Sequence, residues 1–162
     1  MLTPAQAEQD ILANLSLFLR EDCPLSAAHG RVLCEDLCAD RDLPPFDRVT
    51  MDGFALRSEV LQSGTRTFQI AGTQAAGMRP LKLGAADVCV EVMTGAVLPD
   101  GADCVVPYEE TTRKETSVTV HASFSGAPGG FVHRRGSDHA AGERIVPAGT
   151  KLTGREIAVA AA

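Results

Sequence analysis

Short apolar runs separated by glycine-rich and proline-rich turns fill the chain from residue 50 onward, at roughly ten-residue spacing. Strands of this length and spacing pair into small antiparallel sandwiches or barrels, because each turn sends the chain back beside the strand it has just left. The pattern therefore predicts six strands, at Phe54–Arg57, Thr67–Ala71, Val88–Met93, Cys104–Glu109, Ser117–Ala122 and Phe131–Arg134.

Two capping boxes predict a helix near each end of the chain. The first box is formed by Thr3 and Gln6, and an apolar stripe with three- and four-residue spacing follows it, so we expect an amphipathic helix over residues 4–20. The second box, at residues 153–156, opens a helix over residues 157–162.

The segments between these elements are predicted from their glycines and prolines. They are a single helical turn at 26–30, a strand at 32–39, extended chain at 43–47 and a hairpin-like segment at 142–150. The resulting fold class is mostly β with a few helices (α+β).

Charge and hydropathy restrict the partners of the chain. The formal net charge of −6 argues against a nucleic-acid backbone, whose phosphates need a basic face, but a small anion needs only a few local donors. No stretch approaches the roughly 18 apolar residues of a membrane span. We therefore expect a cytoplasmic protein that binds neither nucleic acid nor a membrane.

The five cysteines are odd in number and include no Cys-x-x-Cys pair. We predict that they are buried, reduced thiols. The four histidines lack the spacing of zinc ligands, so a zinc site is not expected.

A carboxylate beside a glycine is the first candidate for chemistry. Asp52 and Gly53 follow an extended proline pair and precede an apolar strand. Asp-Gly between apolar runs is a strong signal for a hairpin turn, which would hold the carboxylate in a fixed and accessible position. The alternative is a plain turn whose carboxylate has no further role.

Two further loops carry candidate binding groups. Thr94 and Gly95 end a predicted strand, where a hydroxyl and backbone N–H groups could bind an anion or help to hold a hydrated metal ion. A long glycine-rich hairpin loop is the alternative. In the second loop, Arg135 could clamp a phosphate or carboxylate, or an Arg-Asp pair with Asp138 could fix the loop. The residues leave these alternatives open.

Three motif-bearing segments follow one another in a specific order. They are Asp42-Leu-Pro-Pro-Phe-Asp with Met51-Asp-Gly-Phe-Ala55, then Met93-Thr-Gly-Ala-Val-Leu-Pro-Asp-Gly-Ala-Asp103, then Arg135-Gly-Ser-Asp138 with Ala141-Gly-Glu143 and Pro147-Ala-Gly-Thr150. Together they resemble the N-terminal region of the MoeA/gephyrin family of molybdopterin molybdenumtransferases. The resemblance extends from about residue 20 to the end of the chain.

The resemblance implies a reaction and an organisation. Family members insert molybdate into adenylylated molybdopterin with release of AMP, in a magnesium-dependent step, and they act as homodimers. A helix-and-ribbon connecting domain would comprise residues 1–45 and 140–162, and a β-rich domain would be inserted at 46–139. A pterin-binding α/β domain of the same protein would follow this region, so the chain alone is expected to be inactive.

The family motifs assign roles to individual positions. The resemblance implies that Asp52 and Thr94 are catalytic and that Asp52 contacts Mg²⁺. It implies substrate binding by two loop residues and two glycines, namely Arg135, Asp138, Gly53 and Gly95. In the third motif Ser137 stands where the family usually has glutamate. The alternative function is a non-catalytic dimerisation or interaction module with a gephyrin-like scaffold role.

Overall fold

The computed structural model describes residues 2–16 and 18–162, and the chain divides into two compact units. One unit combines residues 1–37 with 146–162, and the other spans residues 38–145. The inserted domain inferred for residues 46–139 stays a prediction.

The described residues form ten strands and three α-helices. In chain order the strands are β1 (Leu37–Cys38), β2 (Arg48–Val49), β3 (Gly53–Leu56), β4 (Thr67–Gln74), β5 (Val88–Val92), β6 (Cys104–Pro107), β7 (Thr111–Lys114), β8 (Ser117–Val120), β9 (Val132–His133) and β10 (Arg144–Val146). The helices are α1 (Pro4–Ala13), α2 (Ser58–Gln62) and α3 (Gly154–Ala161). The expected class, mostly β with a few helices, is confirmed.

Six strands form one sheet in the order β6-β3-β5-β4-β8-β7, while β1 pairs with β10 and β2 with β9. All six strands predicted from apolar runs exist, with small shifts of their ends. The sequence prediction missed α2 and the short strands β2 and β7. It also overestimated the strand at 32–39, of which only β1 and an isolated bridge at Val32 form.

One pair in the sheet departs from the antiparallel expectation. Strands β4 and β5 are parallel, with Ile70 opposite Cys89 and Thr73 opposite Glu91. A parallel pair needs a connection of about a dozen residues or more, and the loop over residues 75–87 meets that need. The other neighbouring strands of this sheet run antiparallel.

Strand β3 is buried on both of its faces. Phe54 and Leu56 pack in one apolar cluster, whereas Ala55 between them packs in the other. This alternation follows from the two-residue period of a strand. Burying a side chain such as that of Phe54 stabilises the fold by about 1.5–3 kcal/mol, so both layers of the core are anchored on this strand.

Helix α1 begins where predicted and ends earlier. Thr3 and Gln6 form the predicted capping box, in which the Gln6 N–H donates to Thr3 Oγ1 at 3.3 Å. The helix ends at Ala13, because the Asn14 side chain donates to the Asp10 carbonyl at 2.8 Å and so competes for the helix backbone. The predicted helix over 4–20 is therefore wrong beyond Ala13, and its position 17 lies outside the described residues.

The second capping box is confirmed. The Thr153 N–H donates to Glu156 Oε2 at 2.8 Å, and α3 starts directly after Thr153. Within the described residues, no helix has the length and apolar character required to cross a membrane.

The cysteines divide into two groups. Cys89 and Cys104 are buried, and burial raises the pKa of each thiol to about 12. Cys34 and Cys38 are exposed and Cys23 is half-buried, so the prediction of buried thiols is wrong for these three. Cys34 and Cys38 lie in the segment that forms much less strand than predicted.

Gly53 has a different role from the predicted one. The residues on either side of Asp52 and Gly53 do not pair with each other, because β2 pairs with β9 and β3 pairs with β5 and β6. The hairpin-turn prediction is therefore wrong. A Cβ atom on Gly53 would lie 2.0 Å from the Val106 carbonyl oxygen, so glycine is required because two backbones approach closely.

We expect Gly53→Ala to lower the free energy of unfolding by about 3 kcal/mol, since the added methyl group can be accommodated only by moving β3 away from β6. Urea denaturation measures the change. Gly84→Ala is the matched control, because a Cβ atom there meets no atom within 4 Å. Equal stabilities of the two variants would contradict the packing role of Gly53.

Candidate active site

Asp52 and Thr94 form a direct contact at the surface of the second unit. Asp52 Oδ1 accepts hydrogen bonds from the Thr94 N–H and from the Thr94 hydroxyl, both at 2.7 Å. Both residues are exposed. Two side chains that the sequence placed in separate loops are thus held as one pair.

This contact determines the charge state of Asp52. The Thr94 N–H and then the Thr94 hydroxyl hold the pKa of the carboxyl below its usual value, and the small loss of solvation opposes them. Asp52 is therefore anionic at neutral pH. The Thr94 hydroxyl has a single proton and donates it to Asp52, so in this arrangement it can only accept a further hydrogen bond.

Backbone contacts fix the loop that carries Thr94. Gly95 has φ of +88°, a left-handed conformation that glycine adopts without strain, and its N–H donates to the Val49 carbonyl at 2.9 Å. The Val49 N–H in turn donates to the Ala96 carbonyl at 2.9 Å. The predicted contact of Gly95 with substrate stays a prediction, and the structure gives this residue a role in orienting Thr94.

A buried glutamine supports the same loop and was missed by sequence reasoning. The Gln74 side chain is fully buried, its amide donates to the Val97 carbonyl, and its Oε1 accepts from the Leu81 N–H at 2.6 Å. A glutamine in a strand of alternating polarity gives no sequence signal for such a contact, because the partners are distant backbone groups.

Asp52 precedes strand β3, and the ends of the two strands that neighbour β3 flank it. Thr94 follows β5 on one side, and Tyr108 follows β6 on the other. The Tyr108 N–H donates to the Asp52 carbonyl oxygen at 3.2 Å. Both the main chain and the side chain of Asp52 are therefore held.

A buried carboxylate lies close to this pair. Glu91 is 6% exposed and accepts hydrogen bonds from Thr73 at 2.7 Å, from the Tyr108 hydroxyl at 2.8 Å and from the Arg113 guanidinium. Burial alone would raise its pKa, but these donors outweigh burial and keep the pKa below its usual value. Burial and the Glu91 carboxylate raise the pKa of Tyr108 to about 12.

The loop with the paired arginines is fixed by different acids from the one predicted. Arg135 Nε donates to Asp42 at 2.7 Å, and Arg134 donates to Asp47 at 2.6 Å. Asp138 lies 2.8 Å from His133 Nε2. Arg135 thus has an ion pair that fixes the loop, but the partner is Asp42 and not Asp138.

The Asp52 pair and the arginine loop lie at opposite ends of the β2–β9 ribbon. Asp52 follows the carboxyl end of β2, and Arg135 follows the carboxyl end of β9. Because the two strands are antiparallel, these ends point in opposite directions. The structure therefore brings Asp52 and Thr94 together and places Arg135 and Asp138 elsewhere on the same unit.

Gly53 is buried in β3 and packs against β6, so the structure gives it a packing role. Its predicted contact with substrate stays a prediction.

Magnesium is compatible with this site only as a largely hydrated ion. Mg²⁺ often binds proteins through one or two carboxylates and keeps several waters. Asp52 supplies one exposed carboxylate, and its Oδ2 has no hydrogen-bond partner among the described residues. No group of three or more His, Cys, Asp or Glu side chains in the described part of the chain could enclose a metal ion.

The chain is similar to known proteins over nearly its whole length. The family model described as "MoeA N-terminal region (domain I and II)" matches residues 2–162. A molybdopterin molybdenumtransferase of Synechocystis sp. is 41% identical over 154 residues, which cover 95% of this chain and 40% of that protein. The protein of the same name from Synechococcus elongatus is 34% identical over 156 residues, with coverages of 93% and 38%.

A solved structure shows the same fold. The crystal structure of the molybdopterin biosynthesis MoeA protein from Pyrococcus horikoshii matches with a TM-score of 0.84 and 28% sequence identity. The match covers 99% of this chain and 42% of that one. The chain thus spans about two fifths of the length of these three relatives.

We expect Thr94→Val to raise the pKa of Asp52 toward 3.8, because the hydroxyl donor is lost while the backbone N–H remains. A lowered pKa makes the ionised carboxylate stabilising above pH 3.8, and that stability is lost as pH falls through the folded-state pKa. In the variant, the free energy of unfolding therefore depends less on pH in this acidic range. Carbon-13 NMR of the side-chain carboxyls follows the titration.

Asp42 is the internal control in the same spectra. Its pKa is lowered by the Ala141 N–H and by Arg135, neither of which the substitution touches. If Asp52 titrated identically in the variant and in the unchanged protein, the hydroxyl contact would have no electrostatic role.

Proposed function

Because the chain belongs to the MoeA N-terminal region family, we propose that it is the N-terminal part of a molybdopterin molybdenumtransferase. The reaction is the insertion of molybdate into adenylylated molybdopterin with release of AMP. One observation carries the proposal: Asp52 and Thr94, 42 positions apart, meet at 2.7 Å in an exposed pair. The activity needs the remainder of such a protein, since this region spans about two fifths of its relatives.

The charges of the reactants explain why a fixed carboxylate suits this site. Molybdate and the adenylyl phosphate are both anions, and further negative charge develops on the phosphate as AMP leaves. A bare carboxylate beside them would be repelled, so Asp52 is suited to hold a cation between itself and the anions. Thr94 keeps Asp52 ionised and oriented for that purpose.

Mg²⁺ is the cation that we propose for this position. The ion would neutralise part of the phosphate charge, and Asp52 would hold the ion through Oδ2, which has no hydrogen-bond partner among the described residues. Asp52 would be the ligand that this region supplies, and Thr94 would orient Asp52 through its two hydrogen bonds.

Arg135 and Asp138 are proposed to bind substrate away from the Asp52 pair. Arg135 uses Nε for Asp42, and its Nη1 and Nη2 atoms have no hydrogen-bond partner among the described residues. Two N–H-bearing atoms at an exposed position suit an anionic oxygen. Asp138 lies 2.8 Å from His133 Nε2 and would orient this histidine beside the loop.

We also propose that the protein is cytoplasmic and acts as a homodimer. The support for the dimer is the apolar stripe of the first helix and the residues after it: Ile11, Leu12, Leu15, Phe18 and Leu19 are each more than 60% exposed. Several large apolar side chains exposed within one short stretch of chain are typical of an interface. The scaffold alternative has no supporting observation in the fold or in the comparisons.

We expect Asp52→Asn, in the complete transferase that carries this region, to lower the kcat of molybdate insertion at least about 100-fold, because asparagine keeps the shape and removes the charge. The Mg²⁺ concentration for half-maximal rate should rise. Circular dichroism should show an unchanged fold. Asp87→Asn, at an exposed aspartate, is the matched control and should keep full activity.

Full activity of Asp52→Asn would refute the assignment of Asp52 to the reaction. Activity lost equally in Asp87→Asn would assign the effect to total charge and not to this position.

We expect Ile11→Glu to convert a dimer into monomers, because it places a charge within the apolar stripe, at the residue where the stripe begins. Sedimentation equilibrium of the chain measures the mass. Gln9→Glu adds the same charge to the same helix outside the stripe and should leave the dimer intact. A monomer before any substitution, or a dimer in both variants, would contradict a dimer contact through this helix.

A further inference from the structure

We propose that buried Glu91 and half-buried Tyr108 together position Asp52: the Glu91 carboxylate holds the Tyr108 side chain, and Tyr108 holds the Asp52 main chain. Neither residue belongs to the family motifs from which Asp52 and Thr94 were predicted as site residues. The inference deepens the proposed function and rests on it for the kinetic part of its test, whereas the structural part is independent of the reaction.

Glu91 collects donors from three separate parts of the sheet. Thr73 on β4 donates to Oε2 at 2.7 Å, while Tyr108 after β6 and Arg113 on β7 both donate to Oε1. A carboxylate that is only 6% exposed is stable as an anion only with such donors. Each donor is therefore oriented by the same buried charge.

Contacts of both its hydroxyl and its ring hold the Tyr108 side chain in place. The hydroxyl lies 2.8 Å from Glu91 Oε1 and 4.0 Å from the Met93 sulfur, and Met93 directly precedes Thr94. The ring packs edge-on against Phe54, with centroids 5.3 Å apart. Glu91 and Phe54 are opposite each other on β5 and β3, so they lie on one face of the sheet with the tyrosine beside them.

The last step is the backbone contact. The Tyr108 N–H donates to the Asp52 carbonyl at 3.2 Å, and the Asp52 side chain accepts both bonds from Thr94. The contacts close a ring from Glu91 along β5 to Thr94, across to Asp52, and back through Tyr108. If the Tyr108 hydroxyl loses its bond to Glu91, Tyr108 is held less firmly, and its N–H then holds the Asp52 carbonyl less firmly as well.

The two carboxylate oxygens of Glu91 have different donors, so a variant at each donor can separate a positioning role of Glu91 from a role in stability alone. Tyr108→Phe removes a single hydroxyl that bonds Oε1 on the path to Asp52. Thr73→Val removes a hydroxyl with a hydrogen bond of comparable length, which goes to Oε2 and not to Tyr108 or Asp52. If Glu91 served only the stability of the fold, the two variants would behave alike.

The structural test is amide hydrogen exchange of this chain, followed by NMR. In Tyr108→Phe we expect the Thr94 amide, which bonds Asp52, and the amide of residue 108 to exchange about tenfold faster than in the unchanged protein. Both should be unchanged in Thr73→Val. Equal exchange of these amides in the two variants would overturn the proposal.

The kinetic test uses the complete transferase. We expect Tyr108→Phe to lower the kcat for molybdate insertion about tenfold with KM changed less than about twofold, since a small misplacement of a reacting group affects the chemical step. Thr73→Val should keep kcat. A decrease in Tyr108→Phe that appears only in KM, or equally in Thr73→Val, would overturn positioning.

Failure of the two proposals is distinguishable. If Asp52→Asn retains activity, the proposed function fails, and the exchange of the Thr94 amide still decides whether Glu91 and Tyr108 position Asp52. If Asp52→Asn is inactive while Tyr108→Phe matches Thr73→Val in both measurements, the positioning by Glu91 and Tyr108 fails and the proposed function stands.

Discussion

The close approach of β3 and β6 at Gly53 is the constraint on which the site depends. The absence of a side chain there lets the backbone of β3 reach the Val106 carbonyl, and β3 lies between β6 and β5 in the sheet. Asp52 directly precedes this strand. The ends of its two neighbours therefore place Thr94 and Tyr108 on either side of it, and the site follows from the order of the strands.

The second unit carries charge in two separate arrangements. Near the arginine loop, exposed Arg134 and Arg135 pair with half-buried Asp47 and Asp42, and such solvent-accessible pairs contribute little to stability and mainly order the chain. Glu91 is buried instead, where its donors are needed to keep it ionised. The buried arrangement lies beside Asp52, and the exposed one lies at the far end of the β2–β9 ribbon.

Much of the fold was predictable from local patterns. The apolar runs located six of the ten strands in the described residues, and the capping boxes located the starts of α1 and α3, because both signals arise from neighbouring residues. The end of α1 was not predictable from the stripe, since the Asn14 side chain competes for the backbone. The parallel pairing of β4 and β5 was missed because it depends on where a long loop leads, which periodicity does not encode.

The sequence by itself determined the family and the motifs that single out Asp52, Gly53 and Thr94. Only the tertiary structure decided what those residues do. Gly53 serves a close packing contact instead of a turn, Thr94 donates its proton to Asp52, and Arg135 pairs with Asp42. The physical reason is that hydrogen bonds and packing contacts join residues that are dozens of positions apart, and the strand order that joins them is a property of the whole sheet.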